Sequence, residues 1–199
     1  MEKILSNKYK INIVQDVPYD KESLIKDIYF NYEASKIVFD ASTKDSPGLQ
    51  CDIWIETGNF KKIKKYIFEK FCEIYDIDPN KPHQLRYWTY ISDSKNIHQS
   101  YHTHTENLVL LQENQYTWVF YVQMPTNLKE DDGKIFFKTE DNVEHKLLPN
   151  EGDLIFFSSD LPHRPQINPD SDKERIVLAG NYCILDYNKT YKKKIKTIM

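Results

Sequence analysis

From Gln84 onward the hydrophobic pattern of this chain runs at a period of two, which limits the available folds more than any other feature. Gln84 to Ile91, Tyr116 to Gln123, Gly133 to Lys138, Asp153 to Phe157 and Arg175 to Ile184 are short runs rich in aromatic and β-branched residues. Turn-forming clusters separate them: Asp131-Asp132-Gly133, Pro149-Asn150-Glu151-Gly152 and Asn168-Pro169-Asp170-Ser171. Short alternating segments joined by tight turns predict antiparallel sheets closed into a sandwich or barrel. Upstream, the period is helical. Asp20 can cap a helix reaching about Ser35, along which Leu24, Ile25, Ile28 and Tyr32 recur. A second helix, capped by Asn59, carries the stripe Phe60, Ile63, Ile67, Phe71 and Ile74, with lysines opposite, and ends by Asp78-Pro79-Asn80. Residues 40–50 read as a loop. Two helices followed by many short strands predict an α+β domain.

At 199 residues the chain fits one domain. The expected division is helical support over about 1–80, a β core over about 84–185 and a lysine-rich tail over 186–199. A net charge of −3 gives no general basic field for nucleic acid. The five lysines between Lys189 and Lys196 read as a solvated tail. Cys51, Cys72 and Cys183 are odd in number and show no CxxC spacing, so neither a disulfide framework nor a structural zinc site is expected. The opening MEKILSNKYK lacks the apolar core of a signal peptide, and no run is long and apolar enough for a membrane span. The expectation is a soluble, cytoplasmic protein with no membrane partner.

The chemistry concentrates at His102-Thr-His104-Thr-Glu106, with His163 following 57 residues after Glu106. Imidazoles and a carboxylate are donors for a transition-metal ion, and two histidines with one carboxylate leave half an iron's coordination sphere open. Along a strand, residues i and i+2 lie about 6.6 Å apart and can converge on one ion, while i and i+4 lie about 13 Å apart and cannot without a bend. The pair is therefore either His104 with Glu106 or His102 with His104, completed in both cases by His163. His104 belongs to both sets.

Only three of the 27 basic residues are arginines, and Arg86, Arg164 and Arg175 all flank these histidines. A planar guanidinium recognises carboxylates in bidentate fashion, a use distinct from that of surface lysines. Arg175 opens the strand RIVLAGNY, sharing a face with Val177, Ala179 and Asn181.

Taken in order, His104-Thr-Glu106, Trp118-Val-Phe-Tyr-Val122, Asp132-Gly133-Lys-Ile-Phe-Phe137, Pro149 to Phe157, His163 and Arg175 resemble the 2-oxoglutarate- and Fe(II)-dependent oxygenases. The similarity is greatest to small bacterial and phage members related to prolyl hydroxylases, and it covers about Gln84 to Leu185. The chain departs from the family pattern at Glu106, where Asp is commoner, at the competing His102, and at Val177, where many relatives carry Ser or Thr. The resemblance implies a double-stranded β-helix (a jelly-roll, cupin-like barrel) with supporting N-terminal helices. It implies Fe(II) on His104, Glu106 and His163, with His102 as the alternative to Glu106. It also implies 2-oxoglutarate held by Arg175, with Tyr90 or Tyr87 adding a hydrogen bond; alternation lets only one of these two face inward. The implied reaction is hydroxylation of a small-molecule or peptidyl substrate with release of succinate and CO2. Residues 40–50 and Asn107 to Gln115 are candidates for the segments over the mouth, with Leu108 to Leu111 alternatively a buried strand.

Two other classes fit some of the same residues. A cupin-type metal enzyme opens with His-x-His, but its second-motif histidine follows the glycine by three residues, whereas His163 follows Gly152 by eleven. A non-catalytic barrel used for binding or assembly would not need the metal at all.

Overall fold

The computed structural model describes residues 1–39, 49–53, 55–92, 100–104, 112–166 and 172–185. Two antiparallel sheets face each other, and helices cover the outer face of the larger one. The ten strands in chain order are β1 (Glu2–Ile4), β2 (Lys10–Val14), β3 (Leu49–Asp52), β4 (His83–Ser92), β5 (Gln112–Gln123), β6 (Ile135–Lys138), β7 (Glu144–Leu147), β8 (Leu154–Ser158), β9 (His163–Pro165) and β10 (Arg175–Leu185). The larger sheet runs β1-β2-β8-β5-β10-β4-β3 and the smaller β7-β6-β9. This is the jelly-roll, double-stranded β-helix arrangement that the family resemblance implies, and one form of the sandwich or barrel that the alternating pattern predicts.

Helices α1 (Lys21–Phe39) and α2 (Gly58–Tyr75) lie where helical periodicity places them. Asp20 accepts the backbone N–H of Ser23 at 3.1 Å, the expected capping bond of α1. The cap of α2 is Thr57 rather than Asn59; its hydroxyl accepts the Phe60 N–H at 3.4 Å. Asn59 instead donates to Asp27 on α1 at 2.9 Å, while the Thr57 hydroxyl donates to the same carboxylate at 2.5 Å. The Asp27 carboxylate thus ties the start of α2 to α1. Helix α2 stops at Asp76, which adopts a left-handed conformation (φ 50°) and donates its N–H to the Cys72 carbonyl.

The first 80 residues are not purely helical. Strands β1 and β2 extend one edge of the larger sheet, with β2 against β8, and β3 caps the other edge beside β4. Leu49, Gln50, Cys51 and Asp52 pair with Ile91, Tyr90, Thr89 and Trp88, so the end of the expected 40–50 loop is strand. These strands are short and flanked by charged residues, which hides their alternation. Strands β7 and β9 are equally short.

Alternation divides the larger sheet into two working faces. Toward the helices, Trp118, Phe120, Phe156, Ile176, Leu178 and Tyr182 pack with Leu24, Ile28 and the α2 stripe Phe60, Ile63, Ile67 and Phe71. Toward the smaller sheet, Val119, Tyr121, Ile155, Phe157, Val177 and Ala179 pack with Ile135 and Phe137. The turn Pro149 to Asp153 orients β8. Gly152 sits at φ +87°, which glycine adopts without strain, and Asp153 closes the turn by accepting the Asn150 N–H at 2.8 Å. No helix among the described residues is long and apolar enough to cross a membrane.

Gly180 has a packing role. A Cβ there would lie 2.6 Å from the Trp118 ring and 2.7 Å from the Arg86 carbonyl oxygen. Gly180→Ala must therefore displace either a fully buried indole or the β4 backbone. We expect a loss on the order of 1–3 kcal/mol, the range for overpacked cores, measured by urea denaturation. A variant as stable as the wild type would show that β4 and β10 can separate freely.

Candidate metal centre

Three of the histidines singled out by sequence meet at one point between the sheets. His102 and His163 form an isolated antiparallel bridge, each N–H donating to the other's carbonyl at 3.0 Å. The His104 N–H donates to the Ser159 carbonyl at 2.8 Å. These bonds fix the 102–104 segment beside β9 although it belongs to no regular strand. Ring centroids lie 5.2 Å apart for His102 and His104, 4.5 Å for His102 and His163, and 4.9 Å for His104 and His163. One ring nitrogen from each lies within 4.8 Å of the others. Glu106 lies outside the described residues, as do Leu108 to Leu111, residues 40–48, the turn expected at Asn168-Pro169-Asp170-Ser171 and the lysine tail expected over 186–199.

Each ring is oriented by a neighbour. His163 Nδ1 lies 3.0 Å from the Leu161 carbonyl, and His102 Nδ1 lies 3.1 Å from the Ser100 carbonyl. A carbonyl only accepts, so both Nδ1 atoms carry the proton and Nε2 keeps its lone pair. His104 stacks on Trp88 with centroids 5.4 Å apart, is half-buried, and has the Asn181 side chain close enough to raise its pKa. Asn181 Oδ1 also accepts the Thr117 hydroxyl at 3.0 Å, and Thr117 lies 2.9 Å from the Ser159 hydroxyl. This chain links β5, β10 and the residue that binds the His104 backbone. Holding a ligand histidine through its second nitrogen is how proteins fix a metal site's geometry.

His104 and His163 are also kept neutral. Burial, followed by repulsion from His102, pushes His104 down to about 4; Asn181 partly opposes this and Arg86 adds to it. Burial, followed by His104 and His102, holds His163 well below its ordinary value, and it is only 4% exposed. Neutral imidazoles are the form that ligates metal.

A cavity of about 390 Å³ opens around this cluster. Strand β10 supplies Arg175, Val177, Ala179 and Asn181 to its wall, and β4 supplies Arg86, Trp88 and Tyr90. Tyr87 lies on the opposite face of β4, packed against the helical core with its hydroxyl on the Glu56 carboxylate. Of the two tyrosines considered, Tyr90 is therefore the one at the cavity. Arg164 also points elsewhere: its guanidinium covers the Phe136 ring at 4.0 Å.

Arg175 is 4% exposed and makes no ion pair among the described residues. Its guanidinium lies 5.1 Å from the centre of the Tyr121 ring. The fully buried Tyr121 hydroxyl faces the same group, and neither it nor Arg175 Nε has a partner at hydrogen-bonding geometry among the described residues. Burial raises the Tyr121 pKa, with Arg175 opposing, so the phenol remains a donor. Period-two counting from Thr117 puts Tyr121 on this face. Its place beside Arg175 depends on the β5–β10 register, Val177 opposite Tyr121, which sequence does not display.

No family model matches this sequence. No curated protein matches it either. Solved structures do match, and they define the class of fold: that of the oxygenases dependent on 2-oxoglutarate. The viral collagen prolyl hydroxylase of Paramecium Bursaria Chlorella virus-1, solved with 2-oxoglutarate, is 14% identical with a TM-score of 0.60, covering 88% of this chain and 96% of its own. The non-heme α-ketoglutarate-dependent carbocyclase SnoK of nogalamycin biosynthesis is 11% identical with a TM-score of 0.64, over 87% of this chain and 79% of its own. HygX from Streptomyces hygroscopicus, solved with nickel and 2-oxoglutarate, is 10% identical with a TM-score of 0.60, over 87% and 82%. The likeness is one of fold, and the three histidines form a cluster able to hold a metal ion.

The lowered histidine pKa values carry a sign for stability. Between about 4 and 6.5 the unfolded chain binds protons that folded His104 does not, so stability rises with pH across this window and falls as pH drops through it. The metal-free protein should lose melting temperature as pH falls from about 6.5 toward 4. The loss should be smaller in a His104→Gln, His163→Gln double variant. Parallel curves for the two proteins would mean that these rings are not held neutral by burial.

Proposed function

We propose that this protein is a non-haem Fe(II)- and 2-oxoglutarate-dependent oxygenase that hydroxylates a small-molecule or peptidyl substrate. The observation that carries the reading is the buried Arg175, which makes no ion pair among the described residues, beside the Tyr121 hydroxyl at one end of the cavity that holds the histidines. A buried guanidinium without a counter-charge is costly unless an anion completes it. Four residues of β10, roughly 13 Å of strand, separate Arg175 from Ala179. Trp88, on which His104 stacks, is the register partner of Ala179. An arginine side chain and a five-carbon dicarboxylate together span such a gap.

In this reading Arg175 grips the distal carboxylate by two parallel N–H bonds and Tyr121 adds an O–H donor. Val177, where many family members carry a hydroxyl, leaves that support to Tyr121. Tyr90 lines the same wall and narrows it. His104 and His163 hold the metal through their unprotonated nitrogens, with the neighbouring carbonyls and Trp88 setting ring orientation. The described geometry favours His102 as the third donor, and Glu106 is the alternative drawn from the family pattern. When bound, the iron supplies oxygen activation coupled to oxidative decarboxylation of the oxoacid. The chain's own contribution is to keep His104 and His163 neutral, one carboxylate clamped and the cavity walls apolar at Val119 and Ile135.

Anaerobic titration with Fe(II) and 2-oxoglutarate tests this reading through the weak visible charge-transfer band of the complex. His104→Ala and His163→Ala should abolish the band. Arg175→Met should retain iron binding while weakening 2-oxoglutarate at least tenfold, about 1.4 kcal/mol or more. Of His102→Ala and Glu106→Ala, only removal of the true ligand should abolish iron binding. If wild-type protein binds neither Fe(II) nor 2-oxoglutarate, the assignment is wrong.

A further inference from the structure

A second arginine lines the cavity from the other side of the histidines. Arg86 pairs across the sheet with Asn181, and Arg175 with Ser92, so the two arginines stand six residues apart along β10, roughly 20 Å of strand. Trp88, two residues from Arg86 on the same face of β4, stacks on His104 at 5.4 Å, and Arg86, His104 and Asn181 line the same cavity. Arg86 is therefore next to the metal centre, whereas Arg175 is at the far end. Its side chain is exposed at the cavity mouth and makes no ion pair or hydrogen bond among the described residues. The nearest carboxylates on its own face of β4 are absent: Gln84 and Trp88 flank it at i−2 and i+2, both at the cavity.

We infer that Arg86, with Gln84 and Asn181 beside it and Trp88 as an apolar wall, recognises a substrate that carries an organic carboxylate. This inference rests on the oxygenase reading, in which Arg175 is already committed to the cosubstrate. A guanidinium offers two parallel donors that match a planar carboxylate, and primary amides on either side supply further N–H groups. The indole of Trp88 gives flat apolar surface next to this polar group, suited to a substrate with a hydrocarbon or ring portion beside its carboxylate. Size sharpens the class. At about 390 Å³ the cavity lies near the lower end of the range for ligand sites, and the cosubstrate must share it. What remains suits a small acid or a chain terminus rather than the middle of a folded partner. Arg86 is held in place by backbone packing: Gly180, lacking a side chain, lets β10 close onto the Arg86 carbonyl.

The test uses full-length protein saturated with Ni(II) and 2-oxoglutarate, so that no turnover occurs, and reads binding by tryptophan fluorescence or NMR. The probes are phenylacetate, its neutral isostere phenylacetamide, and phenyl phosphate. We expect phenylacetate to bind wild type at least tenfold more tightly than phenylacetamide. Arg86→Gln should erase that preference without changing the melting temperature, and Arg86→Lys should restore only part of it. Equal binding of acid and amide by wild type, or a preference that survives Arg86→Gln, overturns the inference. A tenfold preference for phenyl phosphate over phenylacetate overturns the carboxylate assignment. Failure of wild type to bind 2-oxoglutarate at the outset instead overturns the oxygenase reading, so the two failures are distinguishable.

Discussion

Strand β10 hydrogen-bonds to β4 on one side and to β5 on the other, and the site takes its geometry from this double pairing. Because successive residues point to opposite faces, one strand supplies both Arg175, Val177, Ala179 and Asn181 to the cavity and Ile176, Leu178 and Tyr182 to the helical core. A slip of one residue would exchange these sets, putting a guanidinium into the helix-facing core and isoleucine at the histidine cluster. Two features oppose that slip. The helix-facing residues are buried against a continuous apolar stripe of α2, and Gly180 fits only where the Trp118 ring and the β4 backbone approach it. The register that positions the chemistry is thus secured on the face that performs none.

Around the histidines, buried polar groups form a connected set. The Ser159 carbonyl binds the His104 backbone, its hydroxyl meets Thr117, and Thr117 donates to Asn181. Such a chain satisfies its members mutually, which keeps polar groups affordable in a low-dielectric interior. The His104 ring itself is held by stacking on Trp88. The isolated bridge between His102 and His163 ties the other two residues together through the backbone. Precision here comes from cross-links between irregular segments rather than from the strand that the His-x-His-x-Glu spacing suggested.

The sequence carried the class of fold and several residues that the structure places at the candidate site, for physical reasons that also explain its omissions. Long alternating runs such as β5 and β10 announce themselves because both faces are buried or half-buried over many residues. The stripe from Phe60 to Phe71 announces α2 in the same way. Three- and four-residue strands do not: Glu2–Ile4, Leu49–Asp52 and Glu144–Leu147 contain too few positions to show a period, and tertiary pairing alone makes them strands. The same limit applies within the site. His104, His163, Arg175 and Tyr90 could be marked by residue type and face, whereas choosing Tyr90 over Tyr87 required an absolute phase for β4. Tyr121 and Asn181 needed inter-strand register. Arg164 shows the opposite error: a residue of the right type, one position after His163, turns its side chain to the other face and lies on Phe136.

The two faces of the larger sheet also divide the energetics. Toward the helices, large apolar side chains close over Phe60, Ile67 and Phe71, each fully buried, and this face gains the most from removing apolar surface from water. Toward the cavity the balance runs the other way. Neutral imidazoles are crowded together, and Arg175 is buried without a counter-charge among the described residues. Each of these arrangements costs folding free energy in the unliganded protein, because the groups were better solvated in the unfolded chain. A fold can carry such a face only if another supplies the surplus, which is the part played by α1, α2 and the stripe they cover. The cost itself is directional. In the proposed function a metal ion would relieve the histidines and an anion the arginine, so ligands that satisfy both would bind the folded state alone and add to its stability.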